Sequence, residues 1–384
     1  MKYRYENFGG IIASEDPPFL AFVDRAYMRE LDLPPSPLWD SEDCSVGILS
    51  APTEVHFALT NRCGAGCAHC YMGSGNAEAG ELSEPAFRTA LARLADMGVF
   101  HIALGGGEAL ERPDLFSIAR FAREKGLVPN LTISGRLLTP ELAERMRVFG
   151  QVNVSMDGVG EGYAVFRGKN MFPEADRALR LLVKAGVPAG INCVVGRRNA
   201  DQLEELFSYA ADAAANEIEF LRFKPSGRGA SRYREECTTD RQNREIIPAL
   251  SELSGRHDVP AKIDCSFVPM LCFHRPEKEL LLSMATYGCE AGNVLLGARS
   301  DGSVCGCSFL PPTDLKVADL GTGFHGHPGI ARLLRFAENA PEPCRSCDYL
   351  EICKGGCRAV ALHVSGDFSA PDPGCPFVAE RTGP

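Results

Sequence analysis

The sequence predicts a parallel α/β fold, an open sheet or partial barrel, followed by a small cysteine-rich C-terminal unit. Two observations predict it. Between Glu54 and about Phe223, six short apolar runs rich in Val, Ile and Phe alternate with longer amphipathic segments, the pattern of strands joined by helical crossovers. Beyond His257 the periodicity weakens and Gly, Pro and Cys dominate, as in a unit held by metal rather than by a large apolar core.

Taken in order, residues 1–50 read as a separate unit. Its two apolar runs, Gly9–Ala13 and Phe19–Val23, flank Asp16-Pro17-Pro18 and suit a hairpin followed by a short helix. A barrel unit is expected over 51–250, with strands at Val55–Leu59, Val99–Leu104, Val128–Ser134, Val152–Met156, Ala189–Val195 and Glu217–Phe223. The intervening helices are Pro85–Met97, Pro113–Lys125, Pro140–Val148, Pro173–Ala185 and Asp201–Ala214, four of them opening on Pro and stopped by Gly. In such folds ligands bind at the carboxyl ends of the strands. After Pro225-Ser226-Gly227 and a polar stretch, a helix is expected around Glu245–Leu253, and 251–384 forms the last unit.

The 384 residues and 41.5 kDa suffice for two to three domains at about 150 residues each. A net charge of −10 argues against a polyanion-binding surface, so no nucleic-acid partner is expected. No signal peptide is visible and no apolar stretch approaches the roughly 18 residues of a membrane span. A cytoplasmic protein without a membrane partner is therefore expected. In that reducing compartment 16 cysteines, roughly 4% of the chain against about 8–10% for a disulfide scaffold, point to metal.

Their spacing sharpens this. Cys63, Cys67 and Cys70 stand on the loop Asn61-Arg62-Cys63-Gly64-Ala65-Gly66-Cys67-Ala68-His69-Cys70-Tyr71, directly after the first barrel strand. Three thiolates in C-x-x-x-C-x-x-C hold three irons of a [4Fe–4S] cube and leave the fourth open to an exogenous ligand. Zinc would need a fourth ligand, for which His69 is a candidate, but all-sulfur ligation suits iron–sulfur better.

This loop resembles the cluster motif of the radical S-adenosylmethionine (SAM) superfamily. The resemblance implies a partial (β/α)6 TIM-like barrel in which SAM chelates the open iron. There SAM is reductively cleaved to methionine and a 5′-deoxyadenosyl radical that abstracts a hydrogen atom. It continues down the chain. Gly106-Gly107-Glu108 resembles the segment that meets the SAM ammonium, with Ala109 where relatives often have Pro. Ser134-Gly135 stands where many have Asn-Gly. Ser155-Met156-Asp157-Gly158 resembles a Ser-x-Asp-Gly that reaches the ribose, and Arg167-Gly168 an Arg-Gly that pairs with the SAM carboxylate. Tyr71, closing the cysteine loop, joins these as a cofactor-binding candidate.

The tail spells C-x12-G-x4-C through Cys289, Gly302 and Cys307, then C-x2-C-x5-C-x3-C through Cys344, Cys347, Cys353 and Cys357, then Cys375. It resembles the SPASM extension, which holds two auxiliary iron–sulfur clusters, expected as [4Fe–4S]. The family pattern implies Cys344, Cys347, Cys353 and Cys375 for the outer cluster and Cys289, Cys307 and Cys357 for the inner one. For the inner fourth ligand, Cys272 is taken ahead of Cys265. Cys44, Cys193, Cys237 and Cys305 read mostly as small buried hydrophobes, and the basic run Arg228–Arg234 as a solvated face or, since it follows the last barrel strand, a contact for an acidic substrate. The implied activity is oxidative modification of a ribosomally made precursor peptide, fed by a flavodoxin- or ferredoxin-type donor. Small-molecule chemistry on a sugar, aminoglycoside or tetrapyrrole is the alternative, and a non-catalytic electron carrier a third.

Overall fold

Each of the six apolar runs between Glu54 and Phe223 forms a strand, and these strands assemble into one large sheet. The computed structural model describes residues 1–40, 42 and 44–382. Three N-terminal strands, β1 (Lys2–Glu6), β2 (Gly9–Glu15) and β3 (Pro18–Asp24), form an antiparallel meander and lead into a helix at Arg25–Glu30. The barrel strands are β4 (Glu54–Thr60), β5 (His101–Gly106), β6 (Val128–Ile133), β7 (Val152–Ser155), β8 (Ala189–Val195) and β9 (Ile218–Arg222). They are followed by β10 (Ala261–Ile263), β11 (Leu295–Ala298), β12 (Ser303–Cys305) and β13 (Pro312–Lys316). Across the large sheet the order is β10-β9-β8-β7-β6-β5-β4-β11-β12-β13. All pairings from β10 to β11 are parallel, and β12 and β13 add antiparallel.

The crossover helices bury one apolar stripe each, as their sequence period requires. On Glu84–Asp96 the buried residues are Phe87, Ala90, Leu91 and Leu94, at helical spacing, and Phe87 packs on Phe57 of β4 with ring centroids 4.2 Å apart. Fully burying such side chains contributes about 1.5–3 kcal/mol apiece, which fixes the strand ends where the site is built.

Three features differ from expectation. The first unit has a third strand rather than a hairpin alone, and it is sutured to the amino ends of the barrel strands. Arg4, 8% exposed, donates to the carbonyls of Ala51, Pro52 and Gly98, while Ile11 and Phe8 pack with Phe100. The helix expected at Glu245–Leu253 runs from Asp240 to His257, because Thr239 and Gln242 form a reciprocal capping box that starts it earlier. Finally, strands beyond residue 250 extend the large sheet at both edges, so the sheet crosses the boundary expected there. Among the described residues no helix is long and apolar enough to cross a membrane.

Candidate active site

The cysteine loop leaves β4 at the carboxyl end of the sheet and is held by backbone bonds on both sides. The Cys63 amide donates to Gly75 O (2.8 Å), Gly75 N to Asn61 O (3.0 Å), and Ala68 N to Arg167 O (3.0 Å). A residue read from sequence as surface charge completes the clamp: Arg228 donates from Nε to Cys67 O (2.9 Å) and from Nη1 to Ser74 O (2.7 Å). Its neighbour Gly227, at φ +55°, lies so close that a Cβ there would stand 2.5 Å from Cys70 O. The Pro225-Ser226-Gly227-Arg228 turn thus reads as a brace for the loop, which sequence alone could have suggested only through its position after the last barrel strand.

Cys63, Cys67 and Cys70 are half-buried and line one cavity of about 450 Å³ together with Tyr71, Gly106, Gly107, Ser134, Ser155 and Arg167. Burial and the nearby charges of Glu108, Cys67 and Cys70 push the Cys63 thiol up, so the three sulfurs stand within one another's field. Soft donors that repel one another when ionised need a cation to hold them together, which fits a cluster. Among the described residues no three Cys, His, Asp or Glu side chains converge as ligands of a single ion would; ligands of a cube each take a different iron and need not converge.

Two predicted contacts are placed otherwise. Asp157, expected at the SAM ribose, is 1% exposed and lies behind the cavity wall. Its Oδ1 accepts from Val194 N (2.7 Å), and its Oδ2 faces Arg167 Nε (2.7 Å) and His69 Nε2 (3.2 Å). The Arg167 guanidinium, which lines the cavity, holds its carboxyl below the usual range. Arg167 also reaches Cys67 Sγ (3.6 Å), so this buried triad anchors the loop from behind. Glu108 likewise sits behind Gly106 and Gly107, accepting from the amide and hydroxyl of Ser134, and burial pushes its carboxyl up. Both carboxylates are in place to orient the wall rather than to form it.

Gly107 is the tightest of the glycines lining the cavity: a Cβ would lie 2.2 Å from the carbonyl oxygen of Arg62, the residue before Cys63. Gly107→Ala is expected to cost about 1–3 kcal/mol by overpacking. A urea titration should show it, with Gly75→Ala, whose Cβ would meet nothing within 4 Å, as the near-neutral control.

The opposite wall comes from the C-terminal region. Arg299, Cys305, Ser308 and Phe309 line the same cavity, and Phe309 meets the ring of Tyr71 at 5.1 Å. The floor is polar, with Glu219 of β9 pushed up to about 7 by burial and the charge of Glu54.

All sixteen cysteines are free thiols. Cys289, Cys307 and Cys357 pack in one apolar group beside the cavity. Cys344, Cys347, Cys353 and Cys375 line a second, smaller pocket, and Cys272 lines that pocket with them. The expectation that Cys272 joins the inner set is therefore corrected: the helix Val268–Phe273 carries it to the outer set, against Tyr349, Ile352 and Cys353.

Comparison with known proteins matches this layout. A model of the radical SAM superfamily fits residues 57–210. The mycofactocin maturase MftC of Mycolicibacterium smegmatis is 30% identical over 336 residues, 85% of this chain and 83% of that protein. This chain belongs to the radical SAM superfamily. Membership implies SAM and a [4Fe–4S] cluster as cofactors. A second relative, the AdoMet-dependent heme synthase of Methanosarcina barkeri, is 28% identical over 345 residues, 86% of this chain and 98% of that protein. The fold is shared with Streptococcus suis SuiB, solved with S-adenosylmethionine bound, at a TM-score of 0.75 and 16% identity over 97% of this chain and 98% of that one.

Proposed function

We propose that this radical SAM enzyme oxidatively modifies a ribosomally made peptide, by crosslinking, decarboxylation or dehydrogenation. The observation that carries the reading is the single cavity with two kinds of wall. One side is the Cys63–Cys70 loop; the other is the segment carrying Ser308 and Phe309, next to Cys307. A substrate between them touches both the site where a hydrogen atom is removed and the group through which a second electron can leave. The MftC relatives, maturases by name, and a PqqA peptide cyclase of Ruegeria pomeroyi, 28% identical over 344 residues, support the peptide class.

In this reading Cys63, Cys67 and Cys70 hold the SAM-binding cluster. Gly106, Gly107, Ser134 and Ser155 offer backbone and hydroxyl groups to SAM, with Tyr71 and Arg167 at its edges. Cys344, Cys347, Cys353 and Cys375 hold an outer auxiliary cluster, and Cys289, Cys307 and Cys357 an inner one. When bound, the cluster and SAM together supply hydrogen-atom abstraction. The chain's own part is to exclude water and to take the proton released on oxidation, for which the Glu219 carboxyl, near 7, is suited. A flavodoxin- or ferredoxin-type protein is the proposed electron donor.

The heme synthase relative favours a second reading, tetrapyrrole chemistry on an iron porphyrin. The two separate in one assay. Holoenzyme with SAM and dithionite is expected to form 5′-deoxyadenosine faster when given a small peptide encoded beside its gene, and that peptide should lose two hydrogens, or two hydrogens together with carbon dioxide, by mass. Stimulation by the iron porphyrin and not by the peptide would overturn the peptide reading in favour of the second.

A further inference from the structure

The inner cysteine set has three members packed together and one position to fill. Cys265 reaches it from an unexpected direction. It follows β10, the parallel strand beside β9, and so emerges at the carboxyl end of the sheet, where the other site residues lie. The position is pinned on both sides. The Asp264 amide donates to Phe220 O (3.0 Å), and the Asp264 carboxylate takes the Lys224 ammonium. Arg222 Nη1 donates to Ser266 O (3.4 Å) and to Asp372 Oδ2 (2.7 Å), and that same Oδ2 accepts from the Cys357 amide (2.8 Å). One chain of bonds therefore runs from the residue after Cys265 to Cys357. The neighbourhood agrees with the bonds: Cys289 and Cys357 lie near Cys265, and the same two lie near Cys307. Lys224 is in the field of both Cys265 and Cys357, a buried cation beside thiols that would be anionic when ligating.

We propose that Cys265 is the fourth thiolate of the inner auxiliary cluster, completing Cys289, Cys307 and Cys357. Cys272, in the outer pocket, is excluded from that role. The assignment has a mechanical consequence. Cys265 comes from β10, one edge of the large sheet, whereas Cys289 and Cys307 flank β11 and β12, beside the strand β13 that forms the other edge. A cluster on these ligands is a clasp that joins both edges of an open barrel through the C-terminal segment. The proposal rests on the reading that the tail holds two auxiliary clusters, and the test separates the two.

Full-length protein, reconstituted anaerobically with iron and sulfide, is assayed for iron and for the electron paramagnetic resonance of its reduced clusters. Wild type is expected to hold about twelve irons. Cys265→Ala should lose up to about four of them, or keep them with a changed inner-cluster signal, while the SAM-responsive signal stays. Cys272→Ala should leave the inner signal as in wild type. In case Cys265→Ala does not fold, Cys265→Ser should keep the irons and shift the signal through oxygen ligation. Amide exchange in β10 should slow in the loaded protein relative to the chelated one, in keeping with the clasp. An unchanged inner signal in Cys265→Ser, or in a folded Cys265→Ala, overturns the assignment, as does loss of that signal in Cys272→Ala alone. A wild type that binds only about four irons overturns the two-cluster reading and the assignment with it.

Discussion

Replacing Cys63, Cys67 and Cys70 together by Ala is expected to abolish reductive SAM cleavage and to lower iron by about four per chain, leaving the C-terminal sets loaded. The expectation follows from how the two halves are built. The three thiols sit on a loop clamped by Arg228, Arg167 and the Gly75 strand bridge, none of which touches the outer pocket. The C-terminal sets are held by a different frame, Asp372 paired with Arg222 of β9, and Arg358. The fully buried Arg358 donates to the carbonyls of Phe368 and Ala370 and places its charge near Cys344. Loss of the first set should thus be local. Iron assay and chromatography for 5′-deoxyadenosine check the two halves of the result, and cleavage persisting in the triple variant would remove Cys63, Cys67 and Cys70 from the proposed role.

What was legible in the sequence is what chain-local periodicity and spacing encode. The βα alternation places all six barrel strands to within two residues at both ends, because apolar runs and Gly stops report burial and helix termination directly. The cysteine loop and the Gly-Gly pair were legible for a related reason: a ligand set on a strand end must lie in a short stretch. The missing parts are contacts between distant segments. Arg228 looked like a solvated charge because nothing local marks it as the brace of a loop far before it. Asp157 and Glu108 read as ligand contacts because their motifs are local, while the partners that turn them inward come from elsewhere in the chain: Arg167 from a helix, His69 from the cysteine loop and Ser134 from the end of β6. Cys272 and Cys265 differ by seven positions, and linear distance to Cys289 favours Cys272. The turn after β10 and the helix that follows reverse that order in space.

Asp372→Ala is expected to be the most destabilising single change outside the cysteines. Asp372 is fully buried and accepts four hydrogen bonds: Arg222 Nη1 (2.7 Å) and the Cys357 amide (2.8 Å) on Oδ2, and Arg222 Nη2 (3.0 Å) and the Gly374 amide (2.9 Å) on Oδ1. Removing it leaves a guanidinium 3% exposed with no counter-charge. Breaking such a pair costs about 3–5 kcal/mol, more than the pair itself contributes, because the surviving charge stays desolvated. Denaturant titration of the apoprotein would measure the loss, and its origin can be separated by two further variants. Asp372→Asn keeps an acceptor for the amides but loses the charge, so it should fall between wild type and Ala. Arg222→Met with Asp372→Leu removes both charges and should recover part of the loss, which a purely steric role for Asp372 would not predict. The pH dependence has a definite sign. Arg222 holds the Asp372 carboxyl below its ordinary 3.8, so the stabilisation is complete above that value and is lost as pH falls through the lowered folded-state value. The gap between wild type and Asp372→Ala should therefore be constant through neutral pH and close only in acid. A gap that widened in acid would show that Asp372 acts there as a protonated carboxyl, and the ion pair would not be what ties β9 to the cysteine-rich tail.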